Sequence, residues 1–143
     1  MELARLIHAR PEVTTEATVA QAAKMMADAD IGAIAVKSGR KIVGIFTERD
    51  LVKRVVARGG DPMATLVKDV MSTNVVTVSD LATSAHAAAV MRSHRMRHVA
   101  VVDSDGDYVG LLSQRHLLYD LMSDLSMKVN DFAGYVMIDG PGG

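Results

Sequence analysis

Thr47 and Asp50 stand three residues apart in the run Gly44-Ile45-Phe46-Thr47-Glu48-Arg49-Asp50-Leu51. A threonine followed at that distance by a carboxylate, just ahead of an apolar helical segment, has the spacing of a capping box. The hydroxyl accepts the N–H three residues on, and the carboxylate reaches back to the N–H of the cap residue itself. The same geometry admits a second chemistry. A helix N-terminus offers N–H groups and a positive dipole end, which suit a phosphate, and a carboxylate beside it can accept both hydroxyls of a ribose. The two uses are compatible, because a cap need not occupy the whole of Asp50.

A second run, Gly110-Leu111-Leu112-Ser113-Gln114-Arg115-His116-Leu117, repeats the pattern with changes. Ser113 can still cap a helix and meet a phosphate. His116 cannot accept two ribose hydroxyls as a carboxylate does, and its protonated form would sit badly at a positive helix end. A third cluster, Arg92-Ser93-His94-Arg95-Met96-Arg97-His98, is strongly basic. Arg97 supplies a permanent, forked cation matched to phosphate, and His98 a donor that strengthens on protonation. Taken without the repeat, the same cluster reads first as a solvated helix end, where basic residues complement the dipole. His94 and His98 have zinc-like spacing, but no carboxylate or cysteine completes a set in this segment, so no metal is expected.

The elements that must carry these residues also come twice. "TVAQAAKMM" pairs with "TSAHAAAVM", "IAVKSGR" with "VAVVDSDG", and "KIVGIFTERDL" with "DYVGLLSQRHL", in the same order. Each copy opens with a β-branched run, then places Ala and Met at helical spacing, as at Ala22, Met25, Met26 and Ala29. Two short apolar strands around a turn follow, and a helix begins at the motif, the first stopping near Gly59-Gly60. The unit is strand, helix, strand, strand, helix. One unit of about 60 residues buries little core, so two are expected to pack face to face as one pseudo-twofold α+β module.

Composition narrows the function. The formal net charge is −1, cysteine is absent, and Phe and Tyr together number five, with no Trp. Disulfides and thiolate chemistry are excluded. Nucleic-acid binding is not expected from so few aromatics and no overall basic charge. Glu2, Arg5 and Arg10 interrupt the N-terminus, so it does not read as a signal peptide, and no apolar stretch approaches the roughly 20 residues of a membrane span. A cytoplasmic protein is expected. No nucleophile with a paired base and no phosphate-cradling glycine loop is present. Glu48 is the one water-activating candidate near the motif, so no enzyme and no catalytic residue is expected.

The tandem "GIFTERD" and "GLLSQRH", each preceded by "IGAIAV" or "RHVAVVD", and the linking "VKDVMSTNVVTVS" resemble the cystathionine-β-synthase (CBS) domain pair, or Bateman module. The resemblance covers about residues 4–126 and looks like a stand-alone pair of β-α-β-β-α repeats. It divides the chain into a first repeat at 1–60, a linker at 61–70, a second repeat at 71–126 and a tail at 127–143. It implies sites that join the motif of one copy to the strand entrance of the other. A primary site would join Phe46, Thr47 and Asp50 to Met96, Arg97 and His98, with Ala82 lining the base pocket. A weaker second site would join Ser113, Gln114 and His116 to Ile31 and Gly32, with no cation there.

The ligand so implied is an adenine nucleotide, AMP first, with ADP or ATP next and NAD or S-adenosylmethionine as alternatives. It would act as a regulatory ligand and not a cofactor, by changing the packing or dimer geometry that a protein partner reads. The rival is a homodimeric scaffold with vestigial sites. Homodimers are expected through the apolar stripes of "DLVKRVV" and "HLLYDLM". The tail segment "AGYVMI" is expected as a strand or a partner-binding segment covered in a dimer, and "DGPGG" as a frayed end.

Overall fold

The computed structural model describes residues 3–7 and 10–139, with the side chains of Ala4 and of residues 127–139 outside that description. In the first repeat, β1 (Glu12–Thr14) lies parallel to β2 (Ala33–Ser38), which runs antiparallel to β3 (Lys41–Thr47). Helix α1 (Val19–Ala29) crosses between β1 and β2. The second repeat repeats this with β4 (Thr77–Ser79), α3 (Ser84–His94), β5 (His98–Val102) and β6 (Tyr108–Ser113). Even the bulge recurs, at Val36/Lys37 and at Val101/Val102. The chain is thus an α+β molecule of two tandem β-α-β-β-α repeats, each with its own three-stranded sheet.

Local chemistry sets the helix ends. Thr18 and Gln21 form a reciprocal capping box on α1, and Thr83 accepts from the His86 N–H at the start of α3. Both helices end on a left-handed residue, Asp30 and Arg95, each at φ 54°. Helix α2 begins at Glu48–Asp50 and continues as a π-helix over Leu51–Val56, a wider turn that no periodicity in the sequence announces. Helix α4 runs unbroken over Gln114–Asp139. The segment "AGYVMI" therefore lies in helix, not strand. Val136 within it continues a three-and-four spacing of apolar residues that begins at Leu118, and that period is helical. The last four residues, 140–143, lie outside the described residues, and with them most of "DGPGG".

Each sheet packs against helices over its own core. Val19, Ala22, Met26, Ile34, Val36, Phe46 and Val55 fill the first; Val78, Ala87, Met91, Val99, Val101, Leu112 and Leu117 fill the second. A third cluster joins the two sheets. There Ala33, Ala35 and Ala100 let the backbones approach while Ile45, Tyr108 and Leu111 fill the gap. The β2–β3 turn clasps the opposite one. The Tyr108 N–H donates to Arg40 O at 3.0 Å, and Lys41 binds Asp105 O and, at 2.8 Å, Asp107. Asp103, Asp105 and Asp107 form the one carboxylate cluster among the described residues, and Lys41 already places an ammonium in it.

The connecting segments cross over. Leu3, Leu6 and Ile7, which precede the first repeat, pack on the core of the second. Val67, Val70 and Met71, which precede the second, pack on the core of the first. Polar ties follow the same crossing. Arg5 makes a two-pronged pair with Asp120, at 2.6 and 3.0 Å, and Arg54 donates to Val70 O and Met71 O. This crossing explains the motif glycines. A Cβ on Gly110 would lie 2.5 Å from Ile7 Cγ2, and one on Gly44 would lie 2.3 Å from Met71 Sδ. Gly44 and Gly110 are there so that each strap can lie flat on the strand.

Candidate functional site

Two clefts open between the repeats, on either side of the entrance to β5. The pairing shows why they differ. Ala33 faces Thr47 across β2–β3, and His98 faces Ser113 across β5–β6, so the two occupy equivalent places. The residues before them are Ile31-Gly32 in one copy and Met96-Arg97 in the other. One entrance is apolar and the other is cationic.

The smaller cleft, about 280 Å³, is lined by Thr47, Glu48, Arg49, Met96, Arg97 and His98, with Ser72 and Asn74 from the linker side. Four of the seven residues expected at the primary site meet there: Thr47, Met96, Arg97 and His98. The other three lie elsewhere. Phe46 alternates away from the cleft and is wholly buried in the first core. Ala82 packs against the second core. Asp50 is turned into the cap: its Oδ2 accepts the Thr47 N–H at 3.1 Å while Thr47 Oγ1 accepts the Asp50 N–H at 3.1 Å. Its other oxygen lies 3.6 Å from Arg54 Nε. The capping use of this motif is the one formed.

The larger cleft, about 620 Å³, collects the whole of the expected second set, Ile31, Gly32, Ser113, Gln114 and His116. Arg97, His98 and Arg115 line it as well, with Asp30 and Glu48 as the acidic groups. The expectation that this side lacks a cation is corrected. The β5 entrance is a partition between the clefts, so Arg97 and His98 border both, and Arg115 comes from the motif's own turn. Arg115 stands in the "SQRH" of the second motif, between the expected site residues Gln114 and His116. In both clefts the strand entrance also binds the helix start, Gly32 O taking the Glu48 N–H at 3.0 Å and Arg97 O the Gln114 N–H at 2.7 Å. One of the donors that a helix N-terminus offers an anion is thereby already engaged in each. The side-chain cations therefore carry more of any phosphate binding.

Burial holds the His98 imidazole below its ordinary value of 6.5, and the positive charge of Arg97 and of His116 pushes the same way. The neutral ring is the folded form at pH 7. As pH falls below 6.5, the unfolded chain takes up this proton before the folded one does, so stability falls with pH until the folded group also protonates. The urea midpoint should therefore drop between pH 7.5 and pH 5.5, and drop less in His98→Gln. An equal drop in both proteins would remove His98 from this role. His94 is exposed and bonds Val90 O of its own helix at 3.0 Å, apart from His98 in the cleft.

Two sheets of this topology, stacked through small residues with clefts at their joint, define a paired-repeat module. The family model for the CBS domain matches residues 6–57 and again 67–123, and the chain belongs to that family. It is similar to the CBS domain-containing protein CBSCBSPB3 of Arabidopsis thaliana, 34% identical over 122 residues, which cover 83% of this chain and 22% of that one. A CBS-domain protein from Burkholderia ambifaria MC40-6 superposes with a TM-score of 0.78 at 33% identity, covering 87% of this chain and 96% of the other. The CBS domain protein PAE2072 from Pyrobaculum aerophilum, solved in complex with AMP, matches with a TM-score of 0.74 at 27% identity over 86% of this chain and 99% of that one. Among the described residues, no helix is long and apolar enough to cross a membrane.

Proposed function

We propose that this chain is a regulatory module that binds an adenine nucleotide, AMP foremost, and no enzyme. The observation that carries the reading is the Arg97–His98 pair at the partition between two inter-repeat clefts. The larger cleft lies within the range of about 300–1,000 Å³ typical of small-ligand sites, and the AMP complex of a relative at 27% identity supports the choice of ligand. In this reading the phosphate meets Arg97, Arg115 and Ser113, and the base lies against the apolar wall of Ile31 and Leu111. The larger cleft is the principal site, which reverses the ranking expected from Asp50. ADP and ATP share the same determinants; NAD and S-adenosylmethionine offer the ribose with different charge. Ligand bridges the two repeats, and the homodimer, in the cytoplasm, passes the altered packing to a protein partner. A ligand shifts such an equilibrium only by its differential affinity for the two arrangements.

Titration calorimetry on nucleotide-stripped protein tests this. Saturable AMP binding is expected. Asp50→Ala should cost about 1 kcal/mol of helix capping and leave AMP affinity within about twofold, because Asp50 lines neither cleft. Loss of AMP binding in this variant would instead make Asp50 a ribose ligand in the smaller cleft. No binding of any adenine ligand by folded protein would favour the scaffold, a reading that the closed Asp50 cap already supports.

A further inference from the structure

Helix α4 outruns the module it belongs to. Leu117 is buried in the second core and Asp120 is held by Arg5 and by Ser84, at 3.1 Å. From Leu121 to Ser126 every residue is exposed, yet the helix continues to Asp139. The family match ends at 123, so residues 124–139 add about 24 Å of helix at 1.5 Å per residue that the CBS repeat does not account for. An unaccompanied helix of this length is marginal in water, and Gly134 within it lowers its propensity further.

The apolar residues of α4 fall at Leu118, Met122, Leu125, Val129, Phe132 and Val136, alternating four and three apart. This is the a/d pattern of a coiled coil, with Met122, Val129 and Val136 at a and Leu118, Leu125 and Phe132 at d. Leu118, Met122 and Leu125 are each more than half exposed. Asp120, Asp124 and Asp131 fall at f and c, away from this stripe, and Lys128 is the one charge flanking it. The surface therefore asks for no oppositely charged partner, and two identical copies bring no carboxylates together. Burying an apolar side chain of this size removes roughly 60–120 Å² from water. Six positions on each of two helices then remove roughly 1,000 Å², about what a specific interface needs.

We propose that the α4 seam from Leu118 to Val136 is a parallel two-stranded coiled coil with a second copy of this chain. In a parallel coiled coil, valine at a, as at Val129 and Val136, with leucine at d, as at Leu118 and Leu125, favours two strands over three or four. The proposal rests on the homodimer of the reading above and places its contact on the helix extension.

The chain has no cysteine, so single cysteines report on the seam without further engineering. In full-length protein, Val129→Cys and Val136→Cys should each oxidise rapidly to disulfide-linked dimers under a mild oxidant. Met127→Cys, at the outward f position, should cross-link at least tenfold more slowly. Light scattering of the unmodified protein should give twice the chain mass. Cross-linking that is absent at 129 or 136, or equal at 127, overturns the seam while a dimeric mass leaves the homodimer standing. A monomeric mass overturns both.

Discussion

Leu3→Ala is expected to lower the unfolding free energy by about 2–5 kcal/mol, the range for removing a fully buried leucine side chain. Leu3 has no exposed surface and sits in the core of the second repeat. Against a total stability of about 5–15 kcal/mol, that loss would leave a small protein close to its folding threshold. The location of the damage is the sharper part of the prediction. Native-state hydrogen exchange should show protection lost first in β5 and β6, which are more than ninety residues along the chain, and retained longer in β2 and β3. Loss spread evenly over both repeats, or centred on β1, would mean that the N-terminal strap does not serve the second core as its packing indicates.

The second large effect is on binding. Arg97→Ala should weaken AMP about 10- to 100-fold, the equivalent of one hydrogen bond to a charged group, and leave adenosine within about twofold. Arg97 borders both clefts, so the loss should appear whichever cleft the nucleotide takes. Calorimetry with AMP and adenosine on both proteins decides it. Equal weakening of the two ligands would show that Arg97 shapes the cleft without meeting phosphate, and would transfer the phosphate role to Arg115.

The repeat was legible in the sequence because its signals are local. Threonines at Thr18 and Thr83 precede the helices, short apolar runs flank turns at Gly39 and Gly106, and the same order of features occurs twice. What was not legible depends on which surface meets which. The spacing of Leu3, Leu6 and Ile7 marks an apolar face but not its destination, and that destination is the far repeat. The motif glycines are legible as markers of the repeat, but the reason no side chain fits there appears only with the straps lying over them. The site was half legible for a similar reason. Thr47 with Asp50 encodes a cap and a ribose clamp in the same letters, and the hydrogen bonds formed are those of the cap. Phe46 was misplaced because strand alternation sends neighbouring residues to opposite faces. The β5 entrance is shared, so Arg97 and His98 could not be assigned to one cleft from the order of residues alone.

The crossing of the straps has a bearing on synthesis. The first repeat can complete its own core once residues 67–71 have left the ribosome, since every residue of that core has by then been made, while its inter-sheet face still awaits Ala100, Tyr108 and Leu111. The second repeat cannot do the same. Its core waits for Leu117 at one end and draws on Leu3, translated long before, at the other. Residues 3–7 must therefore remain undocked while roughly a hundred further residues emerge, and their docking closes the molecule. A nascent chain halted before Leu117 should hold a formed first repeat beside a loose apolar leader, which makes that leader a natural foothold for chaperones.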